Sequence, residues 1–235
     1  MTGATRGIGA AVVAAAVAAG DRVAVLARSV DAQHVAATYG DRGLAVAADV
    51  TDLDSLTRGL DQVVAAWGGV DVLVNNAGVH RGGRVGRLAR SDWDLVLETN
   101  LTGVFECIRA TLPTMPDGAA IVNVGAVVGF RGFPGDSAYA SAKAGLSGLT
   151  LALAMELAPR AIRVNVVVPG FTETEMTGGL TQKARGSIVD RIPLGRPAAA
   201  SEIADVVVSV ASATYMTGSI VNVDGGLGAA LGSAR

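Results

Sequence analysis

The sequence predicts an α/β fold, a doubly wound parallel sheet with helices on both faces, and three observations carry that prediction. Short valine-rich runs recur along the chain, helix-compatible stretches separate them, and a glycine-spaced turn stands at the start of the first helical run. Near-continuous apolar strands need cover on both faces, which a parallel sheet with right-handed crossovers provides. Half of the 235 residues are hydrophobic, enough to bury the core of one α/β domain. No proline-rich, serine-rich or charge-block linker divides the chain and no repeat is evident, so residues 1–235 are read as one domain.

The elements follow in order. Met1-Thr2-Gly3-Ala4-Thr5-Arg6-Gly7-Ile8-Gly9 spaces its glycines so that backbone N–H groups of a tight turn face an anion at the start of a helix, which suits a pyrophosphate. The apolar run 10–19 is too short to span a membrane and is stopped by Gly20-Asp21-Arg22, so it reads as a buried helix. Strands are expected over 22–27, 43–48, 70–75, 119–124, 161–168 and 219–223, with helices between them. Ligands of such sheets bind beyond the carboxyl ends of the strands. Asn75-Asn76-Ala77-Gly78 ends the third strand and Pro169-Gly170 follows the fifth.

Tyr139-Ala140-Ser141-Ala142-Lys143 on a helix sets a phenol and an ammonium one turn apart on one face. A free phenol titrates at about 10, and nearby positive charge lowers it. Alone, this spacing reads equally well as a solvated pair.

Several function classes are disfavoured. A net charge of −2 leaves no electrostatic footprint for nucleic acid, and Arg81, Arg84, Arg87 and Arg90 read as a solvated loop and helix start. Cys107 is single and cannot form an internal disulfide, which fits a cytoplasmic location. His34 and His80 are isolated and read as surface residues rather than metal ligands, so no metal is expected.

Taken in order, these motifs resemble the short-chain dehydrogenase/reductase family, from Thr2 to about Leu227, and the resemblance implies a Rossmann-like sheet. Within the family the chain is most similar to 3-oxoacyl-[acyl-carrier-protein] reductases, through Asn165-Val166-Val167-Val168-Pro169-Gly170-Phe171, Ile192-Pro193-Leu194-Gly195-Arg196 and Val221-Asn222-Val223-Asp224-Gly225-Gly226. The implied reaction is hydride delivery from NADPH to a 3-ketone on an acyl thioester. Fold-level analogy does not choose among ketones.

The resemblance implies NADP(H) as cofactor, with Gly3, Thr5, Arg6, Gly7, Ile8 and Gly9 at the pyrophosphate turn. After the next strand, where NAD-preferring folds place an acid, stand Arg28 and Ser29, and the guanidinium groups of Arg6 and Arg28 suit a 2′-phosphate. They read otherwise as two exposed arginines. Asp49 and Val50 are expected at the adenine, and Asn76, Ala77 and Gly78 at the adenosine ribose. Pro169, Gly170 and Thr172 complete the set, and Thr174 resembles the threonine that holds the nicotinamide carboxamide. Asp49 and Thr174 read alternatively as helix caps.

The implied catalytic set is Tyr139 as proton donor, Lys143 binding the nicotinamide ribose and lowering the phenol's pKa, and Asn100 kinking a helix and holding a water. Asn100 reads alternatively as a buried amide bonding backbone. The pattern fails at the serine, because Val122-Asn123-Val124-Gly125-Ala126-Val127-Val128-Gly129 puts Ala126 where the family's substrate-binding serine is expected. Ser137 enters the tyrosine helix and Ser141 points to another face, so neither replaces it. Loss of one oxyanion donor costs about 3 to 4 kcal/mol, on the order of a hundred- to a thousand-fold in rate. A deliberate serine-to-alanine exchange and a natural relaxation of the chemistry both remain open.

Further expectations rest on the same resemblance. Residues 172–192 correspond to a mobile substrate lid, and Arg131 suits an anionic carrier or is an exposed loop charge. The substrate is a small-molecule or acyl-carrier-bound ketone. A homotetramer would pair helices over 92–112 and 137–157 and the last strand, through the small surface of Ala140, Ala144, Gly145 and Gly148. The family's first strand is missing, since Met1 stands where it should be ending, which implies a truncated start or a rearranged sheet with two open edges. Three functional readings stay open: an NADPH-dependent ketone reductase, a cofactor-binding protein without turnover, and a sugar or secondary-alcohol dehydrogenase.

Overall fold

The computed structural model describes residues 1–28 and 31–229. Among them are six strands, β1 (Val23–Ala27), β2 (Gly43–Ala47), β3 (Val72–Asn75), β4 (Ala120–Val124), β5 (Arg163–Pro169) and β6 (Ile220–Val223). All six fall on the expected runs, shortened mostly at their first residues. Every ladder is parallel, with β1 on β2 and, separately, β3, β4, β5 and β6 side by side in that order. β4 and β5 are buried almost throughout, as the unbroken apolar runs require.

Helices cover both faces. On one side α1 (Gly7–Ala18), α2 (Asp31–Ala37) and α9 (Ala200–Ser212) bury Val12, Val13, Ala32, Ile203 and Val207 against the strands. On the other, α3 (Leu53–Trp67), α5 (Gly103–Thr111) and α6 (Ser137–Leu157) pack Leu56, Ile108, Leu146 and Leu153 against Val46, Ile121 and Val164. The expected helix over 92–112 is divided into α4 (Arg90–Leu97), a π-helical turn over Glu98–Thr102, and α5. Short helices α7 (Glu175–Gly178) and α8 (Gln182–Val189) lie within residues 172–192, with Thr181 capping α8 through Ala184 N–H at 3.2 Å. Among the described residues, no helix is long and apolar enough to cross a membrane.

A seam divides β1 from β3. Met1 and Thr2 stitch β1 to β3 at their carboxyl ends only: Leu26 N–H donates to Met1 O, Gly3 N–H to Leu26 O and Thr2 N–H to Val74 O, each at 3.0 Å. Below that stitch the sheets part around a cavity of about 530 Å³ lined by Val23, Ala24, Leu56, Val63, Leu73 and Cys107 among others. The Met1 ammonium closes the cavity by donating to Ala24 O at 3.1 Å, and burial pulls its pKa down to about 6. Chain order reverses across this seam, from β1 outward to β2 and then from β3 outward to β6. The glycine turn therefore emerges at the topological switch point.

Candidate active site

A cleft of about 970 Å³ opens at the carboxyl ends of the strands and gathers nearly all the expected residues. Its floor is the glycine turn. Gly3 and Gly7 hold φ of +59° and +54°, and a Cβ on Gly3 would stand 2.7 Å from the Ala77 Cα. A Cβ on Gly9 would stand 2.1 Å from Gly3 O, so the turn closes only with glycine there. Arg6, the N-cap of α1, makes no side-chain cap, which leaves the first backbone N–H groups of a twelve-residue helix unsatisfied at the cleft. That is a cradle for an anion, and it fits the pyrophosphate of a dinucleotide.

The turn is braced from β3. Asn76 Nδ2 donates to Gly3 O at 2.8 Å, while Thr2 Oγ1 accepts from the N–H groups of Asn76 and Ala77 at 3.0 Å each. Asn76 thus positions the turn with its side chain, a role the ribose expectation overlooked. Ala77 and Gly78 line the cleft beside it. Below lies a buried amide ladder, Asn75 Nδ2 to Asn123 Oδ1 at 2.9 Å and Asn123 Nδ2 to Thr150 Oγ1 at 3.0 Å, which ties β3, β4 and α6 together. The sequence signal for it was an asparagine in each of two otherwise apolar strands.

Both arginines expected at the 2′-phosphate line the cleft, and both face carboxylates. Arg6 Nη1 lies 2.9 Å from Glu175 Oε2 and Arg28 Nη1 lies 3.8 Å from Asp49 Oδ2, so neither is merely a free surface charge. Ser29 lies outside the described residues. Asp49 is no helix cap: its Oδ1 accepts from Thr51 N–H at 3.0 Å and Thr51 Oγ1 at 2.8 Å, and Asp52 caps α3 instead. Val50 is buried at the cleft wall. Thr174 does stand at the N-cap of α7, where its N–H donates to Thr177 Oγ1 at 3.1 Å. It also reaches the turn, since a Cβ on Gly7 would stand 3.3 Å from the Thr174 methyl. Pro169, Gly170 and Thr172 complete that wall, with Thr172 Oγ1 donating to Gly170 O at 3.2 Å.

Tyr139 and Lys143 project from one face of α6 into this cleft, the ammonium 5.8 Å from the phenol ring centroid. Lys143 is 4% exposed, its Nζ donates to Val124 O at 2.7 Å, and burial lowers its pKa to about 8. The phenol departs from expectation. Burial first, and the Asp136 carboxylate second, push Tyr139 up to about 12 rather than down. The hydrogen bond of the neighbouring Lys143 ammonium goes to the backbone, at Val124 O.

Asn100 is fully buried on the π-helical turn, where its Oδ1 accepts from Val79 N–H and its Nδ2 donates to Val79 O, both at 2.8 Å. The helix is distorted there as the catalytic reading expects, and the side chain is also the buried amide bonding backbone of the alternative reading. Ala126 lines the cleft in extended backbone and brings no donor. Ser141 is exposed, and Ser137 buries an Oγ that has no partner among the described residues, outside the cleft lining. Neither replaces the missing hydroxyl.

Two side chains have partners that are distant in the sequence. His80 is only half-exposed, and its Nε2 lies 2.9 Å from Asp136 Oδ1. Arg131 Nη1 donates to Leu227 O. Cys107 is buried, and its thiol is pushed up to about 12.

The profile described as Enoyl-(Acyl carrier protein) reductase matches residues 3–228, nearly the whole chain. The chain belongs to the short-chain dehydrogenase/reductase family. The 3-oxoacyl-[acyl-carrier-protein] reductase FabG of Salmonella typhimurium is 41% identical over 232 residues, covering 97% of this chain and 95% of that protein. The enzyme of the same name from Thermotoga maritima is 46% identical over 183 residues, covering 76% and 74%. Among solved structures, a blue fluorescent protein from a metagenomic library in complex with NADPH superposes at TM-score 0.90 with 33% identity, covering 96% of this chain and 95% of that one. A glucose/ribitol dehydrogenase-type member from Brucella melitensis reaches TM-score 0.92 with 30% identity, covering 96% and 94%. As a member of this family the chain has an oxidoreductase scaffold for alcohol and carbonyl groups, with Tyr139 and Lys143 in its cleft.

Proposed function

We propose that this protein reduces a ketone, most suitably a 3-oxoacyl thioester, with NADPH, and that Ala126 slows it. One observation carries the reading: the phenol of Tyr139, the ammonium of Lys143 and the uncapped amino end of α1 all open into one cleft. The 3-oxoacyl reductases so similar in sequence supply the substrate class, and the NADPH-bound structural neighbour supports the cofactor.

When bound, the nicotinamide supplies the hydride. The backbone N–H groups around Gly7, Ile8 and Gly9 would hold the pyrophosphate, and Arg6 and Arg28, now beside Glu175 and Asp49, would meet the 2′-phosphate. Lys143 would hold the nicotinamide ribose, and Thr174, beside Gly7, the carboxamide. The O–H of Tyr139 donates to the substrate oxygen and gives up its proton as that oxygen becomes an alkoxide. Burial and the Asp136 carboxylate hold this phenol above its ordinary pKa, which keeps it protonated and able to donate at neutral pH. Glycine- and threonine-rich residues 172–192 form the wall over the substrate, with Met176 and Leu180 as exposed apolar contacts for an acyl chain.

Ala126 also favours a second reading, a protein that binds NADP(H) without turnover. The deciding assay follows NADPH oxidation by this chain and its Ala126→Ser variant on a short 3-oxoacyl thioester. Turnover that rises on restoring the hydroxyl supports the reductase. A variant as inert as its parent across several ketones sinks it, and faster NAD-linked oxidation of small polyols points to a sugar or secondary-alcohol dehydrogenase.

This reading carries a cytoplasmic location and a homotetramer. Exposed Phe105 on α5 and Leu151 and Met155 on α6 supply apolar surface for helix pairing. Gly148 faces open space, whereas a Cβ on Gly145 would stand 2.9 Å from Leu101 in the same chain, so Gly145 serves internal packing.

A further inference from the structure

His80 follows Asn75-Asn76-Ala77-Gly78-Val79, and Asp136 precedes the helix that carries Tyr139. The fold joins these distant segments. His80 Nε2 and Asp136 Oδ1 lie 2.9 Å apart, and the imidazole meets the Tyr139 ring edge to face, with centroids 5.2 Å apart at 76°. Both residues of the pair line the cleft with Tyr139 and Ala126. The pair is held from behind: Val79, next in chain to His80, is fixed by the buried Asn100, and Asp136 O accepts from Ala140 N–H at 2.7 Å in the first turn of α6. Among the described residues, Nδ1 of His80 has no hydrogen bond.

We propose that His80, oriented by Asp136, donates from Nδ1 to the substrate oxygen and takes the part of the hydroxyl that Ala126 lacks. The inference rests on the reductase reading above and names a further substrate-contacting residue of that site. With Nε2 committed to the carboxylate, a neutral ring presents Nδ1 as an acceptor and only the imidazolium presents a donor. The carboxylate favours the imidazolium, and the hydrogen bond to Asp136 raises the pKa of His80 above its ordinary value. The other charges near the ring are Arg81, which opposes protonation and itself lies 3.9 Å from Asp92, and Lys143, whose ammonium lies 5.8 Å from the Tyr139 ring centroid. The imidazolium also offsets the Asp136 charge that holds the phenol high. Tyr139 still delivers the proton, and His80 supplies the second hydrogen bond.

The test is a cycle of four proteins: the parent, Ala126→Ser, His80→Ala and the double variant, each assayed for NADPH oxidation with a 3-oxoacyl thioester from pH 5.5 to 9. In the parent, His80→Ala is expected to cost about ten- to a hundred-fold in kcat/KM, the range for a hydrogen bond from a charged donor. In the Ala126→Ser background the same change is expected to cost less than about three-fold, because the serine already fills the role. The parent's rate falls as pH rises through the raised pKa of His80, and His80→Ala and His80→Gln both lose that limb. Fluorescence titration with NADPH, unchanged in His80→Ala, reports that the variant folds. Equal costs in both backgrounds, or an unaltered pH profile, overturn the inference while the reductase reading stands. Turnover by Ala126→Ser with none by the parent also overturns it alone, and no turnover by any of the four overturns both.

Discussion

Arg6 Nη1 and Glu175 Oε2 stand 2.9 Å apart and join the glycine turn to the start of α7. Both side chains are about two-thirds exposed or more, so the pair itself contributes little stability. Its consequence is for binding, because a 2′-phosphate must take Arg6 from Glu175. Glu175→Gln is therefore expected to tighten NADPH several-fold at low salt while leaving NADH unchanged. Arg6→Ala should weaken NADPH about ten-fold or more, the range for a charge-assisted bond. Fluorescence titrations with both nucleotides check this, and equal effects on NADH would show that Arg6 does not meet the phosphate.

Restoring the hydroxyl at position 126 is the most direct gain-of-function change. Ala126 holds extended backbone at the cleft wall, which a serine adopts without strain. In the His80→Ala background, Ala126→Ser is expected to raise kcat on the order of a hundred-fold with little change in NADPH affinity, since the oxyanion donor acts on the substrate. In the parent, where His80 serves that oxygen, the gain is smaller, about ten-fold or less. Steady-state kinetics on one thioester decides it.

Lys143 carries a cost that pH can expose. Its folded pKa of about 8 lies below its ordinary value of 10.5, so the unfolded chain binds more protons between these limits and the parent gains stability as pH rises through them. Lys143→Met removes the buried ammonium. The variant should be inactive yet melt higher than the parent at pH 7, and its advantage should shrink as pH climbs from about 8 toward 10.5. Calorimetry across that window gives the answer, and a constant difference would mean that the ammonium is not desolvated.

Asn123 is the middle of the buried ladder from Asn75 to Thr150. Asn123→Leu breaks both bonds and leaves Asn75 and Thr150 without those partners at the core, a loss of about 2 to 4 kcal/mol. Urea unfolding should show a lower midpoint with an unchanged slope. A neutral outcome would mean that the amides find other partners.

The seam between β1 and β3 should be the weak line of the sheet. Amides of Val23–Ala27 and Val72–Asn75 that face it are expected to exchange faster in deuterium than those of β4 and β5. An extended apolar segment such as Val-Ala-Leu-Val joined ahead of Met1 should fill the cavity and raise Tm by about 5 °C, because two or three buried side chains contribute a few kcal/mol. A glycine-serine segment of equal length is the control, and an equal shift from both would rule out strand filling.

Much of the fold was readable from local pattern. Six valine-rich runs became six parallel strands because runs that short and unbroken satisfy their backbone and bury both faces only inside a covered sheet. Gly3, Gly7 and Gly9 were readable because positive φ and sub-van-der-Waals approach exclude other residues. The spacing of Tyr139 and Lys143 needed only helical geometry. Asn100 shows where this stops: that its buried amide bonds Val79 depended on a segment which the fold brings to it from elsewhere in the chain. His80 and Asp136 were unreadable as a pair for the same reason. No local rule links a residue after β3 to one before α6.

The sequence by itself determined the elements, the anion-binding turn, the phenol with its ammonium and the absence of a hydroxyl at position 126, since each depends on residues close in the chain. Only the tertiary structure decided that Tyr139 is raised rather than lowered, that Arg6 and Arg28 face carboxylates, that Asn76 braces the turn and that His80 stands beside the phenol. Burial and charge at a site are sums over neighbours from many segments, and those neighbours meet only when the chain has folded.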